Sequence, residues 1–395
     1  MKTRDWARVA LAMFAVGWGA NQFAPMLQVY RRLDGLSQQT VTAMFGVYVA
    51  GLVPALLLAG WWSRHVGKRP FVRLALVAAV VASALLALGA LGEGWLYAGR
   101  LVAGLAAGAV MGPGTAWVTE LSDTPGRGAR RATIALSGGF GLGPLVAGLA
   151  VTVLPAPKVT PYLIHLALGV VAAALAWTAA EPDASDHPTP GWREVAAAVG
   201  SRWFLGRLLL TAPWVFGMAS VSFVVLPTAV DGLAGLEAPA IGVVAFLTLG
   251  SGVLIQPTIR RLEERHSSKV LPLALVGVVA AMALGIVLAQ TRSLALLPVA
   301  AVVFGLSYGT LLVGGLRTVA THVDAALLAP VNAVFYCLTY IGFLAPFVIA
   351  VVASVVPLTW TLGIGLAIAA ASLPVVWASG RLRLNPGVPR RRDRT

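Results

Sequence analysis

The sequence predicts an all-helical integral membrane protein, with twelve transmembrane helices in two pseudo-symmetric bundles of six. Three observations predict it. Twelve apolar stretches reach the length a helix needs to cross ~30 Å of hydrocarbon, about 20 residues at ~1.5 Å each. Apolar residues make up 58% of the chain and charged residues 11%, whereas a water-soluble domain carries charge on about a quarter of its residues. A polar segment with several prolines, from Glu181 to Arg193, divides the stretches six and six. These properties exclude a soluble enzyme.

The spans fall at 8–29, 40–62, 71–92, 95–118, 132–154, 160–179, 204–228, 239–258, 270–289, 293–316, 327–353 and 357–378. Four regions follow: a bundle over 1–180, a linker over 181–203 with a short interfacial helix at 192–199, a second bundle over 204–379, and a basic tail over 380–395. The segment Met1–Ala20 has the basic start of a signal peptide, but its apolar run continues past Ala20 without a small-residue cleavage site, so it is expected to stay as the first helix. An offset of about 200 residues brings several features into register at once. Arg8 falls near Arg202 and Arg207, the turn 64–69 near 260–265, and Gly143-Pro144 on Ala345-Pro346. A common offset is the mark of a parallel repeat.

The net charge of +14 has a topological explanation that needs no nucleic acid. With the amino terminus inside, 24 of the 29 Lys and Arg lie in inner segments. That bias predicts a multi-pass protein of the inner membrane with both termini cytoplasmic. The tail Pro389–Arg392 is either a solvated flank or a contact for anionic membrane lipid. The single cysteine, Cys337, lies inside a span, so no intramolecular disulfide and no cysteine-based metal cluster can form. No Gly-x-x-x-x-Gly-Lys-Ser/Thr loop occurs, which removes ATP as the direct energy source, and no metal or other cofactor is expected.

Three segments carry mechanistic information. The second span ends in Gly60-Trp61-Trp62-Ser63-Arg64-His65-Val66-Gly67-Lys68-Arg69, a tight basic turn, and Glu120 at the inner end of the fourth span is the nearest carboxylate for its cations. The fourth span holds Arg100, followed by Gly104, Gly108 and Gly112. A charge at mid-membrane costs ~2.5 kcal/mol or more, so Arg100 either faces a cavity or partner or snorkels to the outer interface. The fifth span contains Gly139, Gly143, Pro144 and Gly148. Glycines four apart let another helix approach closely, and the proline bends the helix at a defined point, which together make a pivot.

These segments resemble the major facilitator superfamily. Its signature between spans 2 and 3 runs Gly-x-x-x-Asp-Arg-x-Gly-Arg-Arg. Gly60, Gly67, Lys68 and Arg69 match it, while Arg64 stands where the family has Asp and His65 where it has Arg. In the family that Asp helps latch the halves on the inner side, so the substitution puts the latch in question. The Arg100 segment is similar to the span 4 signature associated with proton transfer, and Gly139–Gly148 to the signature of drug and proton antiporters. The resemblance implies that spans 1, 4, 7 and 10 line the cavity, which makes Asn21, Gln22, Arg100, Trp214 and Tyr308 the substrate-site candidates. Asn332 and Tyr336 in span 11 are further polar groups at middle depth.

The implied activity is alternating-access export of a small lipophilic or amphipathic molecule in exchange for protons, by a monomer. One observation opposes it: none of the 15 acidic residues lies near the middle of a span. That absence favours an uncoupled facilitator or importer, and the altered turn leaves a non-transporting receptor open. His165 is either a titrating group or a hydrogen-bonded interface residue.

Overall fold

The computed structural model describes residues 5–122, 124–181 and 191–379; the tail, Ser185 and the side chains of Arg64 and Ser267 lie outside the described residues. Among the described residues, all regular structure is helical. Ten helices among the described residues are long and apolar enough to cross a membrane.

The other two expected spans take different forms. The stretch 8–29 becomes α1 (Asp5–Asn21) and α2 (Phe23–Asp34), separated at Gln22. Pro25 has no N–H to give the Asn21 carbonyl four residues back, which accounts for the break. The stretch 160–179 becomes α7 (Thr160–Ala176), apolar but only 17 residues long.

Between them run α3 (Gln38–Val66), α4 (Arg69–Ala87), α5 (Glu93–Glu120) and α6 (Pro125–Val153). After the linker come a short α8 (Trp192–Val199), a π-helical turn (Phe204–Leu208), α9 (Leu209–Ser220) and α10 (Glu237–Leu254). The long α11 (Gln256–Thr291) has non-helical backbone at His266, so it is two helices meeting at a kink. The chain ends in α12 (Leu296–His322), α13 (Ala325–Ile341), α14 (Ala345–Val352) and α15 (Leu358–Ser379).

In the first half α1 packs on α6, while α5 packs on α3 and α4, and α4 packs on α7. The second half repeats these relations, with α9 on α13, α12 on α10 and α11, and α11 on α15. Burial separates central from peripheral helices: 78% of the most apolar window of Phe204–Ala229 is buried, against 28% for Leu358–Ser379. Peripheral helices present Leu74, Val77, Val171, Leu273, Ile364 and Ile368 outward. Such a belt of exposed aliphatic side chains suits hydrocarbon and not water.

Candidate substrate pathway

One end of the molecule carries Lys68, Arg69, Arg260 and Arg317 and is called the basic end here. Its turn is held by groups from the same half. Gly67 has φ +90°, and a Cβ there would also lie 2.7 Å from Glu181 Oε1, so both backbone and space require glycine. Glu181 Oε1 accepts from the backbone N–H of Lys68 and, at 3.0 Å, from that of Arg69, capping the positive end of α4. Arg69 and Arg73 both donate to the Trp177 carbonyl just past α7, where a helix end favours cations. Lys68 Nζ lies 2.7 and 2.8 Å from the two Glu120 oxygens.

Arg100 is fully buried and does not reach the surface. Its Nη1 donates to the Ala20 carbonyl at 2.8 Å and its Nη2 to that of Phe45 at 3.1 Å. Ala20 lies in the last turn of α1, and the negative end of that half-helix offsets part of the guanidinium charge. The rings of Tyr48, Phe23 and Phe45 surround it, with centroids at 4.6, 5.0 and 5.3 Å. Arg100 therefore ties the break in α1/α2 to α3.

Gln22 sits at that break and begins a buried chain of hydrogen bonds that composition did not reveal. Its Nε2 donates to Ser83 Oγ at 2.9 Å, Ser83 Oγ lies 2.6 Å from His165 Nδ1, and His165 Nε2 lies 2.8 Å from the Ala15 carbonyl. A carbonyl only accepts, so Nε2 carries the proton and Nδ1 accepts from the Ser83 hydroxyl. His165 is thus a hydrogen-bonded interface residue. Asn21 donates more weakly, at 3.4 Å, to the Phe140 carbonyl. The only sequence signal for Ser83 was a lone hydroxyl in an apolar span.

The two halves meet through aromatic rings at middle depth. From the first half come Phe45 and Tyr48; from the second Phe216, Phe223, Tyr340 and Phe343. Phe216 stacks on Tyr340 at 4.3 Å and lies 5.6 Å from Tyr308, while the Tyr340 hydroxyl donates to Met111 sulfur at 3.3 Å. Of the cavity candidates, Tyr308 joins this wall and Arg100 lies behind Tyr48. Trp214 does not: its ring turns toward Gly365 of α15.

The α6 motif serves two neighbours. A Cβ on Gly143 would lie 2.5 Å from the Trp18 carbonyl oxygen, and one on Gly139 would strike that of Phe14, so both glycines seat α1. Gly148 instead faces α10, where a Cβ would lie 2.6 Å from the Ala238 oxygen. A Cβ on Gly242 would lie 2.6 Å from the Pro144 oxygen.

This contact loosens toward the basic end: a Cβ on Gly141 would be 3.6 Å from Phe246, and one on Gly250 would meet nothing within 4 Å. The α3 contact with α13 and its extension persists along its length: a Cβ on Gly46 would lie 2.9 Å from the Leu344 side chain, and one on Gly60, nearer the basic end, 3.8 Å from the Ala333 Cβ, an ordinary van der Waals contact. The α6–α10 contact between the halves is thus tight away from the basic end and loosens toward it, while α3 and α13 stay in contact. Among the described residues, every ion pair joins two groups of the same half.

A sequence search of curated proteins finds no significant match. Among solved structures, a mutant of the nucleoside transporter NupG superposes with a TM-score of 0.74 at 14% identity, covering 96% of this chain and 100% of that one. That likeness shows the fold. The sequence also matches the profile of the Major Facilitator Superfamily over residues 9–346. The chain therefore belongs to the Major Facilitator Superfamily, as a multi-pass membrane transporter and not an enzyme.

Proposed function

We propose that the protein exports a small lipophilic or amphipathic compound across the inner membrane in exchange for protons, by alternating access. The observation that carries this reading is the contact of α6 with α10, tight at Gly148 and Gly242 and looser at Gly141 and Gly250 toward the basic end, beside the aromatic contact of Phe45 and Tyr48 with Phe343 and Tyr340. On the Lys and Arg bias the basic end is cytoplasmic, as are both termini, so the structure corresponds to the inward-facing state. The moving bodies are two six-helix bundles over 1–180 and 204–379 within one monomer, in contact with membrane lipid. Gly139, Gly143, Pro144 and Gly148 form the pivot. Gly60, Arg64, His65, Gly67, Lys68, Arg69 and Glu120 form the inner turn.

The solute site lies below the aromatic wall, where Tyr308, Tyr340 and Met111 meet, with Asn21, Gln22 and Arg100 behind it. Trp214 faces α15 and contributes least. A wall of rings without a carboxylate favours stacking solutes over sugars, which need many hydrogen-bonding side chains. A second reading, an uncoupled facilitator or importer, is favoured by one observation: no described carboxylate lies near the middle of a membrane-spanning helix. Everted vesicles loaded with ethidium or 8-anilinonaphthalene-1-sulfonate separate the two. Export predicts accumulation that stops when the pH gradient is collapsed. Equal transport without the gradient selects the facilitator, and no transport of either dye refutes the lipophilic class.

A further inference from the structure

The carboxylate of Glu263 is 6% exposed, in the C-terminal half at the basic end. Its Oε2 has no hydrogen-bond partner and stands 3.4 Å from Arg317 Nε, which approaches without forming a hydrogen bond. Arg317 is shared, lying 3.6 Å from Glu264. Arg207, from the π-helical turn before α9, is also buried; it donates to the Ser268 carbonyl at 3.4 Å, and its Nε has no partner. His322 of α12 stacks on Trp203 at 4.6 Å, and its Nδ1 donates to the Thr318 carbonyl at 2.8 Å. The charged groups acting on Glu263 are therefore Arg317 from α12, Arg207 from the turn before α9 and Glu264 from α11, with His322 beside Arg207 and Arg260 beside Arg317.

The equivalent place in the first half makes a useful contrast. There the turn supplies the cation, Lys68, and the helix end supplies the anion, Glu120, in two short bonds. In the second half the signs are exchanged and the pairing is loose. A carboxylate meant to stay ionised in a buried place gathers two or three donors. Glu263 has opposite charge nearby but an empty acceptor, so it can exist in both protonation states.

We infer that Glu263 is a proton-binding site of the transport cycle. This rests on the proton-coupled reading above. The proton adds to Oε2, the carboxylate becomes a neutral acid, and the attraction to Arg317 and Arg207 falls away. Water reaches the neighbourhood through a cavity of about 180 Å³ lined by Arg260, Val313, Leu316 and Arg317. The elements around Glu263 can respond. It lies one turn before the kink at His266, Arg207 belongs to a π-helical turn, and Arg317 shares α12 with Tyr308 of the aromatic wall. Such π-helical turns recur where helices must adjust.

The test needs no substrate. In a Cys337→Ala background, a Leu27→Cys reporter on α2 is labelled with maleimide in native membranes between about pH 5.5 and 8.5, each rate normalised to the same cysteine in SDS. With Glu263 present, the normalised rate should change about fivefold across this range along a single-site curve. Glu263→Gln should give a flat profile at the acid-side value, and Glu263→Asp should restore a curve. A Glu263→Gln profile that still follows the wild type overturns the inference, as does a flat wild-type profile. Failure of the coupling itself would appear separately, as dye export insensitive to a collapsed gradient.

Discussion

Gly148→Ala and Gly242→Ala each place one methyl group in the contact between α6 and α10. The added Cβ would stand 2.6 Å from the Ala238 oxygen in the first case and from the Pro144 oxygen in the second. Carbon and carbonyl oxygen rest at ~3.3–3.6 Å, so the helices must part by about 0.7 Å or more. The obstacle in both cases is backbone, which cannot rotate aside. Overpacking of this kind costs ~1–3 kcal/mol, and each 1.4 kcal/mol is about tenfold in a population. The cost falls only on the conformation in which the halves touch away from the basic end. Each variant should therefore shift the protein toward the conformation open at the end opposite the basic end. The readout is the Leu27→Cys reporter, 1% exposed on α2, which itself packs on α10. Labelling by an impermeant maleimide outside intact cells should rise about tenfold. Gly143→Ala is the control, because it presses α1 within one half and adds strain in every conformation. Wild-type labelling in both Gly148→Ala and Gly242→Ala would refute the claim that this contact opens.

The larger Gly143→Leu should abolish dye export while leaving membrane insertion intact, judged by transport in vesicles against protein recovered from the membrane fraction. Cysteines at Gly235 and Ser293 should label from outside intact cells and one at Ser267 should not; external labelling at 267 would invert the topology. Arg100→Leu should change stability little, since two charge-assisted bonds worth ~1.5–3 kcal/mol each offset a buried charge costing ~2.5 kcal/mol or more. It should nevertheless stop pH-driven export, and Arg100→Lys should keep part of it, because Lys retains the charge but not the planar fork. Full export by Arg100→Leu would remove Arg100 from the pathway.

What could be read in advance follows from how each feature is encoded. Gly139, Gly143 and Gly148 were visible because close helix approach demands glycine at fixed spacing, and Arg100 because one charge in an apolar run needs a reason. The break at Gln22 had its signal in Pro25, three residues on, although hydropathy alone ran straight through it. Trp214 was misleading for a physical reason. Its helix is apolar on every side, so periodicity cannot say which face meets a cavity and which meets α15. Glu263 was hidden among four charged neighbours in 260–265, where burial depends on α12 and on Arg207, more than fifty residues away in either direction. The partners of the α6 glycines were equally hidden, since spacing announces close contact without naming α1 or α10.

The kinds of contact found within and between the halves differ in a way that bears on transport. Within each half lie all the described ion pairs and the bonds of Arg100, Gln22 and His165. The ion pairs are partly exposed and contribute ~0–1 kcal/mol each, whereas the buried bonds of Arg100 are charge-assisted and worth ~1.5–3 kcal/mol each. Between the halves lie glycines against helix carbonyls and rings against rings. Those carbonyls keep their helical hydrogen bonds when the helices part, and no described charge is stranded. What opposes separation is apolar area, ~0.5–1.5 kcal/mol for each well-placed ring pair, and the weak hydrogen bond from the Tyr340 hydroxyl to Met111 sulfur. A flat solute stacking on Tyr340 or Phe343 can replace the ring contact that these make with Tyr48 and Phe45. The proposed aromatic or lipophilic solute fits this division, since it meets rings and not fixed charges at the boundary between the halves.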